Sequence, residues 1–158
     1  FLLNEAIRYD VKGKKYLKSI YKYYFTDLGL RNARLNFRQQ EPTHIMENII
    51  FNELISRGYS VDIGVVDTFE LNANGNSVKK QLEVDFIVNS GYDQVYIQSA
   101  YELADNSKLL QESNSLRKIK NSFRKIIIVK EDIIPWKTDD GIDVIGLKDF
   151  LLDNVKIF

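Results

Sequence analysis

The chain contains no cysteine. That excludes disulfides, cysteine-ligated zinc and a cysteine nucleophile, and it suits a reducing cytoplasm. Histidine is nearly absent as well: His44 stands alone, with no paired base or nucleophile beside it, so a Ser-His-Asp arrangement finds no support. No run is long and apolar enough to span a bilayer, and no signal peptide opens the chain, so no membrane association is expected. No Gly-rich loop leads into Gly-Lys-Ser/Thr, so the sequence has no P-loop; Gly13-Lys14-Lys15 lacks both the earlier glycine and the hydroxyl. There is no internal repeat or low-complexity run. The first residue is Phe1 rather than Met, which reads as a piece of a longer protein.

What is present fits one α/β domain. The 158 residues are 44% hydrophobic, enough for a sizeable core. Formal net charge is zero, but unevenly spread: residues 1–40 hold nine Lys or Arg against three acids, a net of +6, and the remainder carries −6. A basic N-terminal lobe of this kind serves either as a solvated face or as a surface for nucleic-acid phosphates or an acidic partner.

Residues 1–10 read as a strand or extended arm. Lys22 to Asp27 are aromatic and β-prone and read as a second strand. Residues 28–40 hold a short helix and a loop. The clearest helix runs from Thr43 to Arg57, with Thr43 as its cap after Pro42 and Gly58 closing it. Its apolar stripe is Ile45, Ile49, Ile50 and Leu54. Three strands follow, at 59–71, 78–88 and 94–101, with turns at 72–77 and 89–93. A second helix is predicted at 106–121, then a strand at 125–130 buried on both faces. A turn at 139–141, a short strand at 142–145 and a helix at 147–152 complete the chain. The order helix, three strands, helix, strand predicts a mixed central sheet with helices on its faces, the crossover helix requiring some parallel pairing.

Three polar residues stand out against this frame: Glu47 early in the first long helix, Asp85 mid-strand between Val84 and Phe86, and Gln98 on the next strand. Strict alternation puts Glu83 and Asp85 on one face and Val84 and Phe86 on the other, with Gln98 and Ala100 sharing a face. In a hairpin Asp85 and Gln98 become neighbours, and Glu47 can reach them from the packed helix. Two carboxylates and an amide oxygen are the donors a hard cation such as Mg²⁺ favours, and a bound metal activates water for phosphate hydrolysis. By spacing alone, exposed polar positions or a structural ion pair are the commoner outcome for such residues.

Four stretches carry a resemblance across nearly the whole chain: residues 22–31 (KYYFTDLGLR), residues 44–54 (HIMENIIFNEL) with Arg57-Gly58-Tyr59, residues 83–86 (EVDF), and residues 96–101 (YIQSAY). Leu116-Arg117-Lys118-Ile119 and residues 141–145 (GIDVI) add to it. Together they resemble the C-terminal domain of unknown function that follows the ATPase module in prokaryotic AAA-type ATP-binding proteins, itself similar to the PD-(D/E)XK restriction-endonuclease-like superfamily. The resemblance implies an α-β-β-β-α-β core in residues 41–158. Residues 1–40 are then N-terminal strands and a linker from an upstream ATPase or winged-helix region, through which alone ATP would be bound.

It also implies metal ligation by Glu47, Asp85 and Gln98, with Mg²⁺ or Mn²⁺ as the ion. The superfamily's lysine two positions after the third ligand is replaced here by Ala100, which removes a cation that stabilises the transition state. Lys118 and Lys120 are candidates to reach in from the following helix, and Glu112 to add a carboxylate. The expected role is therefore a nuclease-like accessory domain with degenerate catalysis, recognising DNA, RNA or a protein partner for its ATPase. An active metal-dependent nuclease and a pure protein-interaction module are the alternatives. Arg117, Lys118, Lys120, Arg124 and Lys125 read first as a solvated helix face and second as a phosphate-tracking run. Tyr21, Tyr23, Tyr24 and Phe25 read as packing residues, and Trp136 as a loop anchor.

Overall fold

The protein is described from a computed structural model covering residues 2–18, 21–38, 40–71, 75–103 and 105–158. Of the turn expected at 72–77, residues 72–74 lie outside the described residues. The segment read as one N-terminal strand divides in two: β1 (Leu3–Ala6) and β2 (Arg8–Asp10), which enter different sheets. β3 (Lys15–Tyr16), β4 (Lys22–Phe25) and α1 (Leu28–Arg34) follow. β1 and β4 form an antiparallel pair of their own.

The long helix, α2 (Pro42–Ser56), starts one residue before Thr43. Glu41, not Thr43, is its N-cap residue, without a side-chain cap bond. Pro42 supplies the first helical position instead, since its ring presets φ and its missing N–H would have had no partner. Gly58, at φ +82°, turns the chain out of the helix as expected. The buried stripe is Met46, Ile50, Phe51 and Leu54; Ile45 and Ile49 lie at its edges, half-buried.

β5 (Ser60–Leu71), β6 (Ser77–Ser90) and β7 (Asp93–Ala100) make the expected meander. α3 (Asn106–Arg117) then crosses over to β8 (Arg124–Val129). α3 ends four residues earlier than predicted. Trp136 belongs to β9 (Trp136–Lys137), a short edge strand beside β10 (Asp143–Gly146), rather than to a loop; α4 (Leu147–Leu151) comes last. Among the described residues the main sheet has eight strands, in the order β3-β2-β5-β6-β7-β8-β10-β9. β5-β6-β7 is antiparallel, whereas β2-β5, β7-β8 and β8-β10 are parallel. This is a mixed α/β architecture with four helices among the described residues.

One apolar layer joins α2 and Phe150 of α4 to Phe86, Ile97, Ile126 and Ile128. The other joins Leu116 and Ile119 to Tyr96, Ile127, Val129 and Val144. The alternating isoleucines of β8 thus serve both layers, which is why that strand reads as continuously apolar. The basic run after α3 is largely engaged: Arg117 pairs with Asp140 and Arg124 with Asp143, and Lys125 Nζ donates to Asn121 O at 3.0 Å.

Candidate functional site

The polar centre of the molecule sits where β6 and β7 part. Their pairing runs from Ser90/Asp93 to Phe86/Ile97 and stops there, leaving Asp85 and Gln98 at the mouth of the fork. β6 is irregular at the same point. Asp62 faces Ile87 and Gly64 faces Val84, so Ile63 alone opposes both Asp85 and Phe86. This bulge breaks the alternation read from the sequence. Val84 and Phe86 belong to opposite apolar layers, not to one face. An extra residue in one strand re-aims its side chains, and here both Asp85 and Phe86 turn toward the α2 side. Gly64 lets the strands close: a Cβ there would lie 2.8 Å from Val84 Cβ.

Glu47, Asp85 and Gln98 line one cleft of about 400 Å³, together with Thr43, His44, Ser99, Tyr101, Glu102, Lys108 and Glu112. Glu112 is thus at the cleft, paired with Lys108 at 2.7 Å. Lys118 and Lys120 are exposed and are not among the cleft residues. His44 Nδ1 lies 2.6 Å from Glu41 Oε2.

Asp85 Oδ2 accepts the backbone N–H of Ser99 at 2.8 Å and Gln98 Nε2 at 2.9 Å. The carboxylate thereby replaces the strand partner that β7 loses at the fork. Gln98 Oε1 in turn accepts from Ser115 Oγ of α3 at 3.3 Å. Burial, and next the nearby charge of Glu47, push the Asp85 carboxyl up to about 8. Glu47, also buried, accepts Tyr24 Oη at 2.6 Å, and Lys22 Nζ lies 2.6 Å from the same oxygen. Burial and Glu47 hold the Tyr24 hydroxyl firmly protonated.

Lys22 also contacts Glu83 Oε1 at 2.8 Å, and Arg8 lies 2.6 Å from the other oxygen of Glu83. Burial disfavours the Lys22 charge, but Glu47 and Glu83 outweigh it and raise the ammonium above its ordinary range. Burial likewise opposes the Glu83 charge, and the two cations overcome it and lower that carboxyl. Ala100 shares the α3 side of β7 with Gln98. It is buried in the apolar layer beneath α3 with Leu116 and Val129, so position 100 offers the cleft no cation.

Lys22, Tyr24, Glu83 and Arg8 were not singled out from the sequence as site residues. The one available signal was Glu83 sharing a face with Asp85, two residues away. Among the described residues no group of three or more His, Cys, Asp or Glu is arranged to hold a metal ion. The donor atoms that contribute to the fold (one oxygen on each acid and the Gln98 carbonyl) are engaged by protein groups.

Fold and cleft together define a mixed α/β protein with a carboxylate-lined cleft at a strand fork. An uncharacterized protein of Haemophilus influenzae is 36% identical to the chain over 152 residues. The match covers 96% of this chain and 34% of the relative, so the chain spans about a third of that protein's length. No family model and no solved structure matches the chain. No helix among the described residues is long and apolar enough to cross a membrane.

Proposed function

We propose that the chain is the C-terminal nuclease-like accessory domain of an AAA-type ATPase. On this reading its core is restriction-endonuclease-like, and its cleft recognises nucleic acid or a partner without cutting it. The observation that carries the reading is the convergence of Glu47, Asp85 and Gln98 on one cleft where two core strands separate. The order α2-β5-β6-β7-α3-β8 supports the α-β-β-β-α-β core. The relative extends well beyond the match, which leaves room for an ATPase module that would bind ATP and act as the first partner. Residues 1–40 would be the junction with that upstream ATPase or winged-helix region, while also lending β2 and Lys22 to the nuclease-like body at 41–158. A cytoplasmic location suits such an assembly.

Recognition of DNA or RNA is supported by a second pocket, of about 260 Å³, on the far side of Glu47. Lys22, Arg31, His44 and Tyr23 line it. A cation such as Arg31 beside an exposed aromatic ring is what a phosphate and a stacked base require, Lys22 itself being held by Glu47 and Glu83. Loss of cutting follows from position 100, where a methyl group sits under α3 in place of an ammonium.

A second reading, an active nuclease using Mg²⁺ or Mn²⁺, has one observation in its favour. Among the described residues, no hydrogen bond reaches Glu47 Oε2 or Asp85 Oδ1, so each acid keeps one oxygen open. Incubating the folded protein with labelled DNA and RNA in Mg²⁺ or Mn²⁺ separates the two. Intact substrates fit the degenerate reading. Cutting that chelation and Asp85→Ala both abolish establishes the active one.

A further inference from the structure

Lys22 lines the neighbouring pocket and reaches Glu47 at the edge of the cleft, and it comes from neither the main sheet nor α2. It begins β4, in the separate two-stranded pair, and its position is fixed by the residues that follow it. Asn48 of α2 clasps the backbone of Phe25 from both sides, donating to its carbonyl at 2.8 Å and accepting its N–H at 2.8 Å. Asn52 donates to the same carbonyl at 2.9 Å. The Tyr24 ring stacks on Phe51 with centroids 4.1 Å apart. These contacts deliver the Lys22 ammonium between Glu47 at 2.6 Å and Glu83 at 2.8 Å, and Arg8 steadies Glu83 from behind. A flexible side chain is thus held at both its root and its tip.

We infer that Lys22 takes the cation position at Glu47, an ammonium holding the carboxylate oxygen that the nuclease-like reading would otherwise give to a divalent metal ion. The inference rests on that reading for the identity of what is replaced. Glu47 and Glu83 are balanced one for one by Lys22 and Arg8, so these four groups need no further cation. Of the other donors, Asp85 Oδ2 is taken by Gln98 and Ser99 and Gln98 Oε1 by Ser115, which leaves one oxygen on each acid. A dication brought to Glu47 meets a positive charge already in contact with that carboxylate, and like charges in a half-buried setting repel strongly.

Titration with Mn²⁺ at neutral pH, followed by calorimetry and by the EPR signal of the free ion, tests this on the wild type, Lys22→Met and Lys22→Arg. Removing one unit charge next to a dication is expected to tighten Mn²⁺ binding by at least about tenfold in Lys22→Met. Lys22→Arg should stay as weak as the wild type. Mn²⁺ should also raise the melting temperature of Lys22→Met more than that of the wild type, since the ion binds only the folded form. If the methionine variant does not fold even with Mn²⁺ present, Lys22→Gln provides the same comparison.

A wild type that binds Mn²⁺ as tightly as its neutral variants overturns the inference. So does a folded neutral variant that gains no affinity. DNA or RNA binding by the wild type is measured separately. Nucleic-acid binding combined with tight wild-type Mn²⁺ binding would sink the inference about Lys22 while leaving the nuclease-like reading intact.

Discussion

Replacing Asp85 with Asn tests how burial controls the cleft. Asp85 Oδ2 accepts from Ser99 N and Gln98 Nε2, and an asparagine with its oxygen in that place keeps both bonds. What the substitution removes is the charge. In the fold, burial and then Glu47 lift this carboxyl from 3.8 to about 8. The folded state therefore holds the proton more tightly than the unfolded chain does. The stabilisation is complete below the unfolded value and is lost as pH climbs through the folded one. At about 1.36 kcal/mol per pH unit, a displacement of this size corresponds to a ceiling of roughly 6 kcal/mol.

Asparagine has no such proton to lose. Asp85→Asn should match the wild type within about 1 kcal/mol near pH 5, and exceed it by about 2 kcal/mol or more near pH 8.5, the ceiling being reduced by relaxation around the charge. Urea unfolding of both proteins at the two pH values gives the comparison directly, and it cancels every other carboxyl that titrates in the same window. A stability difference independent of pH would refute the reasoning, as would a variant less stable than wild type at the higher pH.

Other substitutions probe the frame around the cleft. Asn48→Ala removes both bonds to Phe25 and should cost about 2 kcal/mol, with earlier proteolytic cutting around β4 than in the wild type. Gly64→Ala drives a methyl group to 2.8 Å from Val84 Cβ and should cost about 1–3 kcal/mol, seen as a lowered melting temperature. An unchanged melting temperature would mean that the bulge can open without cost.

Much of the frame was legible in the sequence because it follows local periods. The 3.6-residue stripe and Gly58 marked α2, alternation marked β5 to β7, and the unbroken isoleucines marked β8 as buried on both faces. What failed was whatever depends on a distant partner. The bulge at Asp85–Phe86 exists only in the register against β5, so simple alternation assigned Phe86 to the wrong face. β1 and β2 look like one strand until their pairing partners, β4 and β5, draw them into different sheets. Lys22 gave no signal because Glu47 and Glu83 lie 25 and 61 residues away along the chain. Thr43 is a good capping residue in the wrong place, because Pro42 had already begun the helix.

Binding of labelled DNA and RNA to the folded protein, measured across a salt series without divalent metal, tests the central claim most directly. Phosphate recognition beside the carboxylate cleft predicts measurable binding at low salt whose logarithm falls linearly with the logarithm of salt concentration. It also predicts a shallower slope when Arg31 is replaced by Ala. No detectable binding to either nucleic acid at low salt, by a protein shown to be folded, would contradict nucleic-acid recognition and leave the cleft to a protein partner.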